Sequence, residues 1–141
     1  NIAAEFRNYF KGKSCEVFIS PLDVWLTNKE KTAKVKVQPD LMVICDKTGL
    51  MENTYEGVPV LVIEIISTSN QTHDRVRKYS TYMEFGIKEY WIINPKLKTV
   101  EVYTLENGEY KQAAIYKSDD CAVSHTFGGL KIHLEKIFTN E

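Results

Sequence analysis

The sequence predicts an α/β domain with a mixed central sheet flanked by helices and an antiparallel hairpin in its C-terminal part. Two strand-length runs, Asp40–Cys45 and Val60–Ile66, are apolar at nearly every position, which is typical of central strands covered on both faces. A helical segment at 72–85 and a strand at 89–93 follow the second run, and this order indicates a parallel crossover. Asn107-Gly108 then separates two strand-like segments, which predicts a tight hairpin.

The remaining elements are shorter. Ile2, Phe6, Tyr9 and Phe10 recur at helical spacing, so a helix is predicted to end near Gly12. The other predicted segments are strands at 16–19, 23–27, 99–105, 109–116 and 130–133, a loop at 28–34, a polar turn at 67–71 and a helical turn at 135–138.

The helix at 72–85 carries a second pattern. Val76, Tyr79 and Met83 are predicted to form its buried stripe, and Gly86 is predicted to supply a left-handed C-cap.

Composition favours an ordinary globular domain. The 141 residues are 43% hydrophobic and 26% charged, and we expect a single domain spanning 1–141. The first residue is Asn rather than Met, which predicts that N-terminal residues are missing. No apolar run approaches the roughly 20 residues of a membrane helix, so no membrane association is expected.

The cysteines predict a cytoplasmic protein. Cys15, Cys45 and Cys121 are far apart and include no CxxC pair, so a structural zinc site is not expected. Cys15 and Cys45 lie in apolar runs, where we expect thiols that pack as small hydrophobic groups in a reducing compartment.

The net charge of −1 argues against strong non-specific attraction to nucleic acid. Binding would then depend on local clusters. One contains Lys29, Lys31, Lys34 and Lys36 and is interpreted as a solvated face. The other contains Arg75, Arg77 and Lys78.

Glu64 is the anomaly of the sequence, because it lies within Val-Leu-Val-Ile-Glu-Ile-Ile. A carboxylate in such a strand is costly to desolvate unless it is protonated, paired or bound to a cation. If the two apolar strands form an antiparallel hairpin, Asp40 lies beside Glu64. Two adjacent carboxylates and nearby waters suit a hard cation such as Mg²⁺.

Lys78 is a candidate partner of this pair. Asp74, Arg75, Lys78 and Tyr82 share one face of the predicted helix, whose first turns follow the Glu64 strand closely. Lys78 is therefore expected to reach the acids, orient an attacking water and stabilise a transition state. An ordinary Asp74–Lys78 surface pair remains an equal alternative.

Taken together, several motifs resemble the Uma-two family of endonucleases, a branch of the PD-(D/E)XK, or restriction-endonuclease-like, superfamily. The segments that carry the resemblance are Gln38-Pro39-Asp40, Val62 to Ser69, Asp74 with Lys78, and Glu89 to Pro95. The resemblance implies that Asp40 and Glu64 bind Mg²⁺ or Mn²⁺ and that a lysine positions the attacking water. The superfamily lysine follows two residues after the glutamate, where this chain has Ile66; in the branch that it resembles, the helix supplies the lysine, which maps to Lys78.

The resemblance further implies an endonuclease that hydrolyses phosphodiester bonds in nucleic acid. DNA is favoured as the substrate, with RNA left open, and a homodimer is allowed. Arg75 or Arg77 would grip a substrate phosphate, with Gln38 and Asp74 beside it. Two alternatives stay open: a nuclease-like module that binds nucleic acid or protein without cutting, and a metal-free hydrolase of sugars that uses the carboxylate pair.

Overall fold

The structure, a computed structural model, describes residues 1–30, 32–67 and 72–138. The elements along the chain are α1 (Ile2–Phe10), β1 (Glu16–Ile19), β2 (Asp23–Thr27), β3 (Lys34–Val37), β4 (Leu41–Ile44), β5 (Thr54–Glu56), β6 (Leu61–Ile65), α2 (Thr72–Glu84), β7 (Glu89–Asn94), β8 (Thr99–Glu106), β9 (Glu109–Lys117), β10 (Cys121–Val123), β11 (Lys131–His133) and a 3₁₀ turn at Leu134–Lys136.

The central sheet has six strands in the order β1-β4-β6-β7-β8-β9. The β6–β7 pair is parallel and is joined through α2, whereas its other neighbouring pairs are antiparallel. Asn107 and Gly108, with φ of 53° and 81°, form the turn between β8 and β9. The mixed α/β fold with its antiparallel C-terminal part is therefore confirmed, and it is restriction-endonuclease-like.

Each face of this sheet carries its own core. Leu41 and Ile63 pack under α1 and the C-terminal segments, together with Phe6 and Leu134. Their neighbours along the same strands, Met42 after Leu41 and Val62 before Ile63, pack on the other face. There they contact α2 and a small sheet with the order β3-β2-β5. Successive side chains of a strand point to opposite faces of the sheet. Because both faces are covered here, β4 and β6 must be apolar at odd-numbered and at even-numbered positions.

Helix α1 forms as predicted. The Asn1 side chain caps it by accepting hydrogen bonds from the Ala3 and Ala4 amides, and Gly12 follows with φ of 79°. Phe6 is fully buried and packs edge-on against Trp91, with ring centroids 5.4 Å apart.

Helix α2 is rotated relative to the prediction. Val76 is 59% exposed, so its assignment to the buried stripe was wrong, while Tyr79 and Met83 pack partly against the core. Tyr82, predicted to lie on the polar face, is fully buried instead. Gly86 confirms the predicted C-cap with φ of 84°.

Three short strands were not predicted: β3, β5 and β10. Lys34, placed in the 28–34 loop, begins β3 and pairs with Thr27 of β2. These strands have three or four residues each, which is too short for a clear hydrophobic period, and β5 pairs with β2, a strand distant in sequence. Lys31 and most of the predicted 67–71 turn, residues 68–71, lie outside the described residues.

Cys15 and Cys45 form a disulfide, so the expectation of two packed thiols was wrong. The β1–β4 register pairs Glu16 with Ile44, which places the two cysteines opposite each other across the strands. Cys121 is a free cysteine. Within the described residues, no helix is long and apolar enough to cross a membrane.

Glu89 is a buried carboxylate on the α1 side of the sheet, and it was not singled out from the sequence. It is 0% exposed and accepts hydrogen bonds from Trp91 Nε1 (2.7 Å), Ser124 Oγ (3.1 Å) and the Thr126 amide (2.8 Å). The His125 amide also donates to it. Glu89 therefore ties the 124–126 segment to the central sheet.

We predict that Glu89→Gln lowers the free energy of unfolding by about 3 kcal/mol. The NH₂ group of the glutamine would face the hydrogen-bond donors that now surround the buried carboxylate, and it could not accept from them. Urea denaturation would measure the loss. The matched control is Glu109→Gln on the exposed start of β9, with an expected change within about 0.5 kcal/mol. Equal unfolding midpoints for the two variants would contradict this assignment.

Candidate active site

The antiparallel β4–β6 pair brings Asp40 and Glu64 together. Its register pairs Leu41 with Ile63, so Asp40, one residue before β4, lies opposite Glu64. Asp40 is held in place by the Ile65 amide, which donates to its Oδ2 at 2.7 Å. The side-chain carboxylate thus replaces a backbone acceptor where the β4–β6 ladder ends.

Glu64 points toward α2 and is 7% exposed. Both of its carboxylate oxygens receive a hydrogen bond from that helix. Lys78 Nζ lies 3.3 Å from Oε1, and the Tyr82 hydroxyl donates to Oε2 at 2.5 Å. Because Lys78 and Tyr82 are four residues apart, they project from successive turns of one helix face.

The surroundings of Glu64 act on its charge in opposing directions. The pKa of Glu64 is raised from 4.5 to about 7. Burial is the main cause and the nearby Asp40 adds to it, while the hydrogen bond from Tyr82 and the charge of Lys78 oppose the rise. Burial alone would lower the pKa of Lys78, but Glu64 and Asp74 outweigh burial and raise it, so the ammonium group stays charged. Burial, followed by the Glu64 charge, raises the pKa of Tyr82, which therefore remains a neutral donor.

Asp74 holds two cations of α2. Its Oδ1 lies 2.8 Å from Arg77 and its Oδ2 lies 3.5 Å from Lys78. The hydrogen bond from Arg77 is the main reason that the pKa of Asp74 is lowered. Lys78 therefore contacts both Asp74 and Glu64, while its role toward an attacking water stays a prediction.

A cleft of about 340 Å³ separates β3 from α2. It is lined by Val35, Lys36, Val37, Gln38, Asp74, Arg77, Lys78, Thr81 and Tyr82. Four predicted site residues, Gln38, Asp74, Arg77 and Lys78, therefore share one cavity. Gln38 also donates to Asp23 at 2.9 Å. Asp40 and Glu64 do not line this cleft themselves; Lys78 and Tyr82, which contact Glu64, do. Larger depressions of about 530 and 580 Å³ flank the Asn28 loop and include none of these four residues.

Arg75 lies outside this cleft. Its guanidinium group is 3.5 Å from Glu101 on β8, so the structure does not bring it together with the other candidates.

Asp40 and Glu64 are the residues that could hold a divalent cation. Within the described residues, no group of three or more His, Cys, Asp or Glu side chains is arranged around a common point. A pair of carboxylates, with water and substrate phosphate completing the shell, is the ligand set that Mg²⁺ prefers. A cation would also stabilise the charged form of Glu64, which the nearby Asp40 carboxylate disfavours.

Tyr82 is the member of the site to which the sequence assigned no role. The signal available was its spacing of four residues from Lys78, which placed both on one face. Hydrophobic periodicity instead assigned the buried face to Val76, so the contact with Glu64 was missed.

The chain is similar to known proteins in sequence and in fold. Residues 1–135 match the model of the Uma2 family, described as "Putative restriction endonuclease". The chain is 25% identical over 99 residues to an uncharacterized protein of Synechocystis sp., which is 70% of this chain and 50% of that protein. It is 30% identical over 91 residues to a second uncharacterized protein of Synechocystis sp., 62% of this chain and 49% of that protein. The chain thus spans about half the length of these curated relatives.

A similar fold is seen in the crystal structure of "a putative nuclease belonging to DUF820" from Anabaena variabilis. The TM-score is 0.74 at 18% identity, and the match covers 97% of this chain and 75% of that chain. At this level of identity the similarity establishes the fold. Since the family model spans nearly the whole chain, the protein belongs to the Uma2 family.

Proposed function

We propose that this protein is a metal-dependent nuclease that hydrolyses phosphodiester bonds in nucleic acid, with DNA as its substrate. The observation that carries the proposal is the buried Glu64 carboxylate, which lies beside Asp40 and is contacted by Lys78 at 3.3 Å. A buried acid with a raised pKa, in contact with a cation that lines a cleft, is typical of functional sites. The family description, which concerns endonucleases, supports the same chemistry.

Each residue of the site has its own role in this proposal. Asp40 and Glu64 would hold Mg²⁺ or Mn²⁺, which would supply Lewis-acid activation of the scissile phosphate and of the attacking water. Lys78 donates a hydrogen bond to that water or to a phosphate oxygen, and its positive charge offsets the charge that develops in the transition state. Arg77, which lines the same cleft, grips a neighbouring phosphate. Tyr82 fixes one oxygen of Glu64 and so orients the carboxylate.

Lys78 takes the place of the superfamily lysine in this proposal. Ile66 occupies the usual position two residues after Glu64, and an aliphatic side chain cannot donate a hydrogen bond. The ammonium group of Lys78 reaches the same carboxylate from α2 and is one-third exposed, so it is accessible from the cleft.

A second candidate function is a nuclease-like module that binds nucleic acid without cutting it. The Lys78–Glu64 ion pair favours it, because the lysine itself supplies a positive charge to the buried acid. The two functions differ in their need for a divalent metal, which the following variants test.

We predict that Asp40→Asn and Glu64→Gln each lower the rate of DNA cleavage in Mg²⁺ or Mn²⁺ by at least about 100-fold, because each removes a charged ligand. Lys78→Ala should lower the rate by about 100- to 1,000-fold, the usual effect of losing one transition-state donor. Gel assays with DNA and RNA substrates would measure the rates.

The control is Lys131→Ala. Lys131 is exposed on β11, on the opposite side of the central sheet from the acids, and its loss should leave cleavage unchanged. If the wild type cleaves no faster than the three variants, the nuclease proposal is wrong and the binding module remains.

We also predict a pH-dependent difference in stability between the wild type and Glu64→Gln. The pKa of Glu64 is raised from 4.5 to about 7, so this group stabilises the fold below about pH 4.5 and loses that contribution as pH rises through 7. Glutamine does not titrate. Between pH 4 and pH 8.5 the variant should therefore gain about 3 kcal/mol relative to the wild type, as measured by urea denaturation.

Adding 10 mM Mg²⁺ at pH 8.5 gives a readout of metal binding that does not depend on activity. The melting temperature of the wild type should rise, because a ligand that binds only the folded state stabilises it. Glu64→Gln and Asp40→Asn should not respond. An identical metal response in all three proteins would place the cation elsewhere.

A further inference from the structure

Trp25 is an unusually exposed aromatic side chain on the small sheet. It lies on β2 between Val24 and Leu26, which are both fully buried, and is itself 36% exposed. Strand alternation therefore turns Trp25 to the outer face of the β3-β2-β5 sheet. The other tryptophan of the chain, Trp91, is 0% exposed in the core.

Two lysines of β3 lie over the indole ring. Lys36 is the direct cross-strand partner of Trp25, and Lys34 is its diagonal neighbour. Each Nζ is 5.9 Å from the ring centroid, near the outer limit of a cation–π contact. Lys34 also pairs with Glu56 at 3.2 Å. Among the described residues, Lys36 has no carboxylate partner within 4.0 Å.

Lys36 connects this face with the candidate active site. It lines the cleft between β3 and α2 that also contains Arg77 and Lys78. Within the described sheets, β3 pairs only with β2, so its other edge faces outward beside this cleft. Lys36 therefore belongs both to the face that carries Trp25 and to the cleft that contains Lys78.

We propose that the outer face of the β2–β3 hairpin binds an unpaired nucleotide of the substrate, with its base stacked on Trp25 and its flanking phosphates contacted by Lys34 and Lys36. The proposal rests on the proposed function for its substrate class and adds selectivity for single-stranded segments. An aromatic platform flanked by basic side chains is how proteins bind single strands without reading sequence.

The surroundings of Trp25 favour a single strand over a duplex. Bases in a duplex are already stacked on their neighbours and cannot offer a face to the indole without unpairing. The lysine side chains are long and flexible, so their ammonium groups can move from the ring to phosphates when a base stacks.

Tryptophan fluorescence tests this proposal directly. Wild-type protein in EDTA is titrated with a 12-nucleotide single-stranded DNA and with the duplex of the same sequence, so that no cleavage occurs. The exposed Trp25 is accessible to the quencher acrylamide, whereas the buried Trp91 is not. The single strand should quench this acrylamide-accessible part of the tryptophan emission. Trp25→Phe should keep only the Trp91 emission, with no response to DNA.

Binding affinities of the variants complete the test. By fluorescence anisotropy with a labelled single strand, Trp25→Leu should weaken binding by about tenfold, whereas Trp25→Phe retains a stacking ring and should recover most of the affinity. Lys36→Ala should lower the slope of log K against log salt by about one, and Lys131→Ala should change neither quantity.

Two outcomes would overturn the proposal: wild-type affinity in Trp25→Leu, or duplex binding through Trp25 as tight as that of the single strand. These results are separable from the nuclease proposal, because the assay contains no metal. Binding as expected without any cleavage in Mg²⁺ would refute only the nuclease. Cleavage with unchanged binding by Trp25→Leu would refute only the stacking site.

Discussion

The burial of the Glu64 carboxylate is the constraint on which the rest of this structure depends. The side chain is 7% exposed and has Asp40 beside it, so it requires donors that water cannot supply. Helix α2 supplies them from Lys78 and Tyr82. The rotation that makes both contacts leaves Val76 in solvent, so an apolar residue is exposed in order that a charged one can be buried.

Elements with strong local signals could be predicted from the sequence, and contacts across elements only in part. The apolar runs of β4 and β6 indicated central strands, and an antiparallel hairpin between them was enough to pair Asp40 with Glu64. The orientation of α2 could not be predicted from apolar periodicity, because the partner that decides it is a single acid on another strand. The Cys15–Cys45 bridge was missed for a related reason, since it follows from the register of β1 and β4.

Two buried glutamates show how similar burial can serve different ends. Glu89 is enclosed by Trp91 and by hydroxyl and amide donors of the 124–126 segment, none of which carries a charge. Glu64 instead contacts a partly exposed lysine that lines the cleft, and it has a neighbouring acid. The first arrangement holds two parts of the chain together. The second leaves a carboxylate whose charge depends on the charged groups beside it.

The two donors to Glu64 belong to one 13-residue helix, and this has a mechanical consequence. The backbone positions of Lys78 and Tyr82 cannot shift independently, because the hydrogen bonds of the helix keep their spacing fixed. A displacement of α2 as a whole would therefore move the anchor points of both donors to Glu64 together. Each side chain can still rotate about its own bonds, so Lys78 can turn away from Glu64 while Tyr82 keeps its contact.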